Sequence, residues 1–215
     1  FPDGVTHDSR RLKPFPIYAS HGMGSHKWDV DGNKLIDYWT GHGSMILGHC
    51  HPEIVAAVTN QMNKGTHLSA SSELEIRWGQ LVQELIPSAE KVRFQSSGTE
   101  ATMMALRMVR AYTGKTKVVK FQEHFHGWHD YVAAGGPGIG GIPKETLSTM
   151  VVLPPNDISI VERVLKEGDV AAVILEPTGA HMGQFPIKPS FLGELREVTD
   201  RHGVILVFDE VVTGF

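Results

Sequence analysis

Two carboxylates follow directly on a run of five apolar residues near the carboxyl end of the chain. Residues 204–208 are all apolar, and Asp209 and Glu210 come next. A continuous Val, Ile and Leu run of this length predicts a strand that is buried on both faces of a parallel sheet. In open α/β sheets, ligands bind beyond the carboxyl ends of the strands, which is where this pattern puts Asp209. Because a buried carboxylate is costly unless it is paired, the rest of the chain or a ligand must supply a partner for Asp209.

The segment around Ser97, Gly98 and Thr99 has the composition of a phosphate site. It follows a predicted short strand at residues 92–94 and begins a predicted helix that Gly114 closes. The free N–H groups and positive dipole end of a helix N-terminus attract phosphate, the two hydroxyls add donors, and Gly98 permits close backbone approach. An ordinary capped helix is the alternative, since Ser and Thr are common caps. The Walker P-loop pattern is absent.

Two further predicted strands also end in residues that could do chemistry. The strand at 117–121 is followed by Phe125, His126 and Trp128, and the strand at 170–175 is followed by Glu176. The three rings could stack on a flat ligand, although loop aromatics at a surface are the alternative. Together the loops offer an anion cradle, an aromatic face and carboxylates. Pyridoxal phosphate has the matching phosphate, flat ring and basic ring nitrogen, and Asp209 would keep that nitrogen protonated so that the ring acts as an electron sink.

The elements that must position these residues alternate along the chain. From residue 92 onward, strands and helices follow one another, which predicts an α/β fold with a mostly parallel sheet and right-handed crossover helices. An N-terminal arm comes first. It is followed by a β-hairpin over residues 26–39 with its turn at Asp31-Gly32, and by a helix over residues 52–64. Further helices are predicted at 72–86, 157–167 and 189–202, and the glycine-rich stretch 135–141 is predicted to be a mobile loop.

Composition excludes several function classes. The chain has 20 Lys and Arg against 24 Asp and Glu, a net charge of −4, and its basic residues are scattered, so neither nucleic acid nor an anionic membrane is an expected partner. Cys50 is the only cysteine. With no disulfide, signal peptide or long apolar run, the sequence predicts a cytoplasmic protein. The His-rich stretches 41–44 and 48–51 match no common zinc spacing, so no metal site is expected and the edge of a small-molecule site is favoured.

The chain resembles the class III aminotransferases, which are fold-type I pyridoxal-phosphate enzymes. The segments that carry the resemblance are 28–32, 48–52, 97–101, 125–127, 175–177 and 208–215. By this resemblance the cofactor-binding residues are Ser97, Gly98, Thr99, Phe125, His126, Asp209 and Val211, and the catalytic residues are Asp209 and Glu176. Gly98 and Thr99 would bind the phosphate. Phe125 and Val211 would cover the two ring faces, Asp209 would pair with the ring nitrogen, and Glu176 would lie beside the cofactor or substrate.

The resemblance also implies a function and a domain organisation. We expect an aminotransferase, homodimeric or larger, that moves an amino group between an amine or amino acid and a keto acid or aldehyde. The alternatives are glutamate-1-semialdehyde aminomutase, whose usual motifs differ at 6–10 and 41–44, and an inert cofactor-binding or structural fragment. The family's cofactor-binding lysine has no counterpart here, so we expect the C-terminal part to be absent. Residues 1–65 would then belong to the small domain and 66–215 to an incomplete large domain.

Overall fold

The computed structural model describes residues 1–214, apart from the side chains of Pro2, Asp8 and Met182. Phe215, the last residue of the 208–215 motif, lies outside this part. The chain divides into two compact units, Phe1–Lys91 and Val92–Phe215. The domain boundary predicted from sequence is at residues 65 and 66, and the assignment of the segments to a small and a large domain stays a prediction. None of the helices within residues 1–214 is both long and apolar enough to cross a membrane.

The first unit contains a three-stranded antiparallel sheet and two helices. Two 3-10 turns cover Pro2–Gly4 and Asp8–Arg10, strands β1, β2 and β3 cover Ala19–Met23, His26–Asp29 and Lys34–Ile36, and helices α1 and α2 cover Pro52–Met62 and Glu73–Leu85. The predicted hairpin is present as β2 paired with β3. Its turn is closed by the Asp29 carboxylate, which accepts from the backbone N–H groups of Asp31 and Asn33 at 3.0 and 2.8 Å. Strand β1, which pairs with β2, lies mostly beyond the predicted arm and was not predicted.

The loop that contains the glycine- and histidine-rich stretches 41–44 and 48–51 is anchored on Asp37. This residue is buried, and its carboxylate accepts from His49 Nε2 at 2.7 Å and Lys27 Nζ at 2.9 Å. These two donors hold the pKa of Asp37 well below its usual range. A side chain at Gly22 would reach within 2.6 Å of the His49 ring, so this close approach requires glycine. The prediction that this loop borders a small-molecule site stays a prediction.

Both helices of the first unit begin at the predicted signals. Helix α1 has Pro52 in its first turn, and Ser72 and Glu75 form a complete capping box at the start of α2. Neither helix has a buried residue among those described. Apolar side chains that are about half exposed on α1 and α2 are Ile54, Val55, Val58, Trp78 and Leu81.

The second unit confirms the predicted α/β architecture. Its helices are α3 Gly98–Thr113, α4 Lys144–Leu147, α5 Ile158–Leu165, α6 Ala180–Gly183 and α7 Pro189–His202, and its strands are β4 Lys117–Phe121, β5 Met150–Leu153, β6 Val170–Leu175, β7 Phe185–Pro186 and β8 Ile205–Phe208. Strands β5, β4, β6 and β8 form one sheet in that order, and every pairing in it is parallel. All six residues of β6 are buried. Val173 and Leu175 belong to the core cluster with α5 and α7, while Ala172 and Ile174 belong to the cluster with α3.

Three details of the sheet differ from the sequence prediction. Strand β8 was predicted to be buried on both faces, but it is an edge strand with half-buried side chains, and Phe208 is 45% exposed. The reason is that β6 is its only neighbour among the described strands. Residues 92–94 form no strand, because no described strand lies beside them to complete a ladder. Strand β5 was missed because its apolar run is only four residues long and no clear turn signal precedes it.

Parallel pairing brings the loops after β4, β6 and β8 to one edge of the sheet. The end of β8 is tied to the end of β6 by a hydrogen bond from Asp209 N–H to the Leu175 carbonyl at 2.8 Å. The buried β6 therefore fixes the position of Asp209, although β8 is the outermost strand of the sheet on that side.

Candidate functional site

A cavity of about 310 Å³ lies where these loops meet the N-terminus of α3. Its wall contains all eight site residues predicted from sequence: Ser97, Gly98, Thr99, Phe125, His126, Glu176, Asp209 and Val211. Five further residues of the described part of the chain line it: Gly127, Trp128, Thr178, Val212 and Thr213. The structure therefore brings together residues that are up to 114 positions apart in sequence, counted from Ser97 to Val211. No lysine of the described chain lines this cavity.

The N-terminus of α3 leaves two backbone donors free. Ser97 caps the helix, since its hydroxyl accepts from Glu100 N–H at 3.2 Å and its carbonyl accepts from Ala101 N–H at 3.0 Å. The N–H groups of Gly98 and Thr99 make no hydrogen bond within residues 1–214. Glu100 does not compete for them, because its carboxylate is bonded to Ser96, which also lowers its pKa. Two free N–H groups at the positive end of a helix fit an anion such as phosphate.

Two glycines permit close packing around this helix start. A Cβ on Gly98 would lie 2.9 Å from Val211 Cγ2. Gly127 has a φ of +104°, and a Cβ there would lie 2.6 Å from Thr99 Oγ1 and 2.8 Å from Thr99 Cα. The loops after β4 and β8 therefore approach the helix more closely than any side chain at these two positions would allow. Gly127 was quoted from sequence as part of a motif, but its contact with Thr99 could not be predicted.

Asp209 has a partner within the chain. Its Oδ2 lies 2.7 Å from Nδ1 of His126, and the two side chains are 5% and 0% exposed. Its Oδ1 accepts from Val211 N–H at 3.2 Å. The sequence had suggested His126 as a ring that could stack on a ligand, but a completely buried ring offers no face for stacking. The His126 carbonyl accepts from the Thr102 hydroxyl at 2.6 Å, a contact that sequence reasoning missed.

Glu176 joins the loops after β4 and β6. Its Oε2 accepts from Phe125 N–H at 3.0 Å, and its own N–H donates to His124 Nδ1 at 2.9 Å. Burial raises the pKa of Glu176 and lowers the pKa of His124 to about 4. A neutral His124 whose Nδ1 accepts a hydrogen bond carries its proton on Nε2. The Phe125 ring remains 53% exposed and packs edge-to-face on Trp128, with 5.4 Å between ring centroids.

The lowered pKa of His124 predicts a specific acid sensitivity. Since the pKa of His124 falls from 6.5 to about 4 on folding, the unfolded chain binds an extra proton between these values. His124 therefore stabilises the fold fully above pH 6.5 and loses this contribution as the pH falls towards 4. The slope of the free energy of unfolding against pH is proportional to the difference in bound protons between the unfolded and folded states. We expect His124→Asn, which keeps an acceptor for Glu176 N–H, to reduce this difference by up to about one proton in this window.

Urea unfolding of the cofactor-free protein between pH 4 and 7 measures this effect. His67→Asn is the matched control, because His67 is exposed and its replacement should leave the slope unchanged. An equal slope in wild type and His124→Asn would contradict the assignment.

A second cavity of about 360 Å³ lies under the glycine-rich stretch. It shares Phe125, Gly127 and Trp128 with the first cavity, and Gly135–Gly138 form part of its wall. Lys120 also lines it, buried and with Nζ 2.6 Å from the Val132 carbonyl, and burial lowers its pKa. The mobility predicted for the glycine-rich stretch stays a prediction.

The first cavity thus combines three features at fixed positions. These are free N–H donors at the start of α3, the side chains of Phe125 and Val211 on its wall, and the buried Asp209 carboxylate. A ligand that matches all three carries an anionic group, a flat ring and a cationic ring atom. The fold and the site define an α/β protein with a cavity at the carboxyl ends of its parallel strands, and such a ligand would fit the residues that line this cavity.

Comparison with known proteins identifies the family. The family model for class-III aminotransferases matches residues 8–215, and the chain belongs to this family. Glutamate-1-semialdehyde 2,1-aminomutase of Ignicoccus hospitalis is 43% identical over 100% of this chain and 54% of its own length. An omega-transaminase from Sphaerobacter thermophilus superimposes with a TM-score of 0.94 at 36% identity, over 99% of this chain and 52% of its own. A transaminase with PLP bound gives a TM-score of 0.92 at 33% identity, over 98% and 52%.

These findings confirm the resemblance predicted from the sequence and the α/β fold. The chain spans about half the length of the curated relatives it matches. The relatives carry two different activities in their names, aminomutase and transaminase.

Proposed function

We propose that the full-length protein is a pyridoxal-phosphate-dependent aminotransferase. It moves an amino group from an amine or amino acid to a keto acid or aldehyde. The observation that carries this proposal is the pairing of two features in one cavity, the free N–H groups at the start of α3 and the buried carboxylate of Asp209. Membership of the class-III aminotransferase family supports it.

The residues present fit pyridoxal phosphate. Gly98 and Thr99 would hold the phosphate through their free N–H groups, with the Ser97 hydroxyl beside them. Asp209 would pair with the protonated ring nitrogen, which offsets the cost of burying both charges. When bound, this cofactor supplies an electron-withdrawing ring that stabilises negative charge at the reacting carbon of the substrate.

The two ring faces would be covered by Phe125 and Val211. Both side chains lie on the cavity wall and are more than half exposed, at 53% and 68%, so each has surface left to bury against a ligand. Glu176 fixes the Phe125 backbone through the 3.0 Å hydrogen bond, and it lies on the same wall with a raised pKa. Glu176 would therefore hold the aromatic wall in place and present a carboxyl group beside the cofactor or substrate.

The lysine that the family binds covalently to the cofactor has no counterpart in the described cavity, so the test uses the full-length protein. Incubation with pyridoxal phosphate should give a visible absorbance band, and borohydride should reduce it and fix the cofactor's mass on one lysine. In a separate sample that has not been reduced, addition of an amine donor should bleach the band and release the carbonyl product. A full-length protein that develops no band under these conditions would rule out the proposal.

Glutamate-1-semialdehyde 2,1-aminomutase activity is the second candidate, because an aminomutase shares 43% identity with this chain. The two activities differ in their need for an acceptor. An aminomutase turns over glutamate-1-semialdehyde with no added carbonyl compound, whereas an aminotransferase stops after one half-reaction until an acceptor is supplied. A screen of amine donors that includes this compound, with and without an acceptor, separates them.

We further infer a cytoplasmic homodimer. The half-exposed apolar side chains on α1 and α2 would be covered by a partner surface, and Cys50 is an exposed free thiol that suits a reducing compartment. Light scattering of the full-length protein and cell fractionation test these two points.

A further inference from the structure

His126 has more structural support than a residue that only lines a cavity needs. Its side chain is 0% exposed, and its Nδ1 lies 2.7 Å from Asp209 Oδ2 across 83 positions of sequence. Its Nε2 is buried and has no hydrogen-bond partner among the described residues. A polar ring buried in this way costs free energy, and its hydrogen bond to Asp209 is the feature that accounts for its place in the fold.

We propose that His126 is a positioning residue that fixes the orientation of the Asp209 carboxylate towards the cofactor ring nitrogen. This inference rests on the proposed function. It assigns His126 a role that differs from direct contact with the cofactor. His126 acts through Asp209.

The plane of the Asp209 carboxylate is set by the hydrogen bonds to its two oxygens. A carboxylate turns about its Cβ–Cγ bond with little preference. The backbone of Asp209 is fixed by the Leu175 carbonyl at 2.8 Å, and Oδ1 is held by Val211 N–H at 3.2 Å. His126 supplies the shorter contact to the other oxygen, so it is the stronger restraint on the carboxylate plane. Since an ionised carboxylate only accepts hydrogen bonds, Nδ1 of His126 carries the proton and donates it.

His126 is itself held in place by helix α3. The Thr102 hydroxyl, on the second turn of α3, donates to the His126 carbonyl at 2.6 Å. The next residue, Gly127, packs against Thr99 on the first turn of the same helix. Helix α3 therefore provides the free N–H groups for the phosphate and also anchors the residue that orients Asp209. The phosphate end and the ring-nitrogen end of the site are held at a fixed spacing by one rigid element.

Two variants separate hydrogen-bond positioning from simple packing. His126→Phe keeps a ring of similar size but removes the donor, and His126→Asn loses the ring but keeps an N–H close to the place of Nδ1. If His126 positions Asp209, the Asn variant retains more function than the Phe variant. If the ring only fills space, the order is reversed.

The experiment uses the full-length protein loaded with pyridoxal phosphate. We expect His126→Phe to lower kcat by about 10²-fold, the size of effect that misplacing a catalytic group by about 1 Å can produce, and His126→Asn to lower it by about tenfold or less. The dissociation constant of the cofactor should change by less than tenfold in both, because the phosphate site is intact. The induced circular dichroism of the bound cofactor, which reports how rigidly the ring is held, should weaken in the Phe variant and be largely restored in the Asn variant.

A measurement without cofactor checks the pair itself. In the cofactor-free protein, the losses of melting temperature caused by His126→Phe and Asp209→Ala should not add in the double variant, because both remove the same contact. Additive losses, or a Phe variant that outperforms the Asn variant, would overturn the inference while cofactor binding by the wild type still supports the proposed function. A wild type that binds no cofactor would overturn both.

Discussion

Replacing Asp209 with asparagine in the full-length protein is expected to lower kcat by about 10³-fold, the upper end of what loss of one preorganised electrostatic contact costs. The asparagine side chain has nearly the same size, and its carbonyl oxygen can still accept from His126 Nδ1. It carries no charge, however, so it cannot stabilise a protonated ring nitrogen, and the cofactor ring would withdraw electrons less strongly when bound. The contacts at Gly98 and Thr99 are unchanged, so the cofactor dissociation constant should rise by less than about tenfold.

Glu210→Gln is the matched control for this variant. Glu210 is the next residue in the chain and carries the same charge, but it is exposed and does not line the cavity. Its replacement should leave kcat and cofactor affinity unchanged. Steady-state kinetics together with a cofactor titration make the comparison. If Asp209→Asn lost affinity and kcat by the same factor, Asp209 would serve binding alone and the electron-sink role would be contradicted.

The elements with strong local signals were predictable from the sequence. Strand β6 is an uninterrupted apolar run, and β4 has three apolar residues among its five. Helix α7 begins at Pro189 and is closed by Gly203, a left-handed C-cap with φ +60°. The site could be predicted for a topological reason. Parallel strands place the residues that follow them at one edge of the sheet, so Glu176 and Asp209 could be assigned to a shared site without knowledge of any contact.

The rest of the fold and site depends on tertiary neighbours that local sequence does not show. The apolar run of β8 is typical of a central strand, yet the described chain provides one neighbour for it. The partner of Asp209 in the structure is His126, 83 residues earlier, whereas the sequence left the partner open between the chain and a ligand and favoured the ring nitrogen of a cofactor. A charged side chain at the end of a buried strand indicates that it needs a partner, but only the folded chain shows which group lies within hydrogen-bond distance of it. The proposed site is compatible with both partners. His126 bonds Oδ2, and Oδ1, which accepts only the longer contact from Val211 N–H, can accept a second hydrogen bond from a ligand.

The close approach of Gly127 to α3 leads to the second large expected effect. Gly127→Ala should lower the free energy of unfolding by about 2–5 kcal/mol, because it adds overpacking to backbone strain. The new Cβ would lie 2.8 Å from a backbone atom, Thr99 Cα, which cannot rotate away as a flexible side chain could, and the φ of +104° is unfavourable for alanine. Relief of this clash must move the loop that carries Phe125 away from the phosphate cradle. The cofactor should therefore bind at least about tenfold more weakly, a loss of 1.4 kcal/mol or more in binding free energy.

Gly140→Ala is the control for the clash. Gly140 lies in the glycine-rich stretch, its φ is not in the left-handed region, and a Cβ there would meet no atom within 4 Å. Urea unfolding of both cofactor-free variants, followed by cofactor titration, should show a large loss for Gly127→Ala and none beyond about 0.5 kcal/mol for Gly140→Ala. If the two glycines proved equally replaceable, the loop after β4 would not be held against α3 as described. The packing of this loop against α3 would then not be what fixes the distance between the phosphate cradle and Asp209.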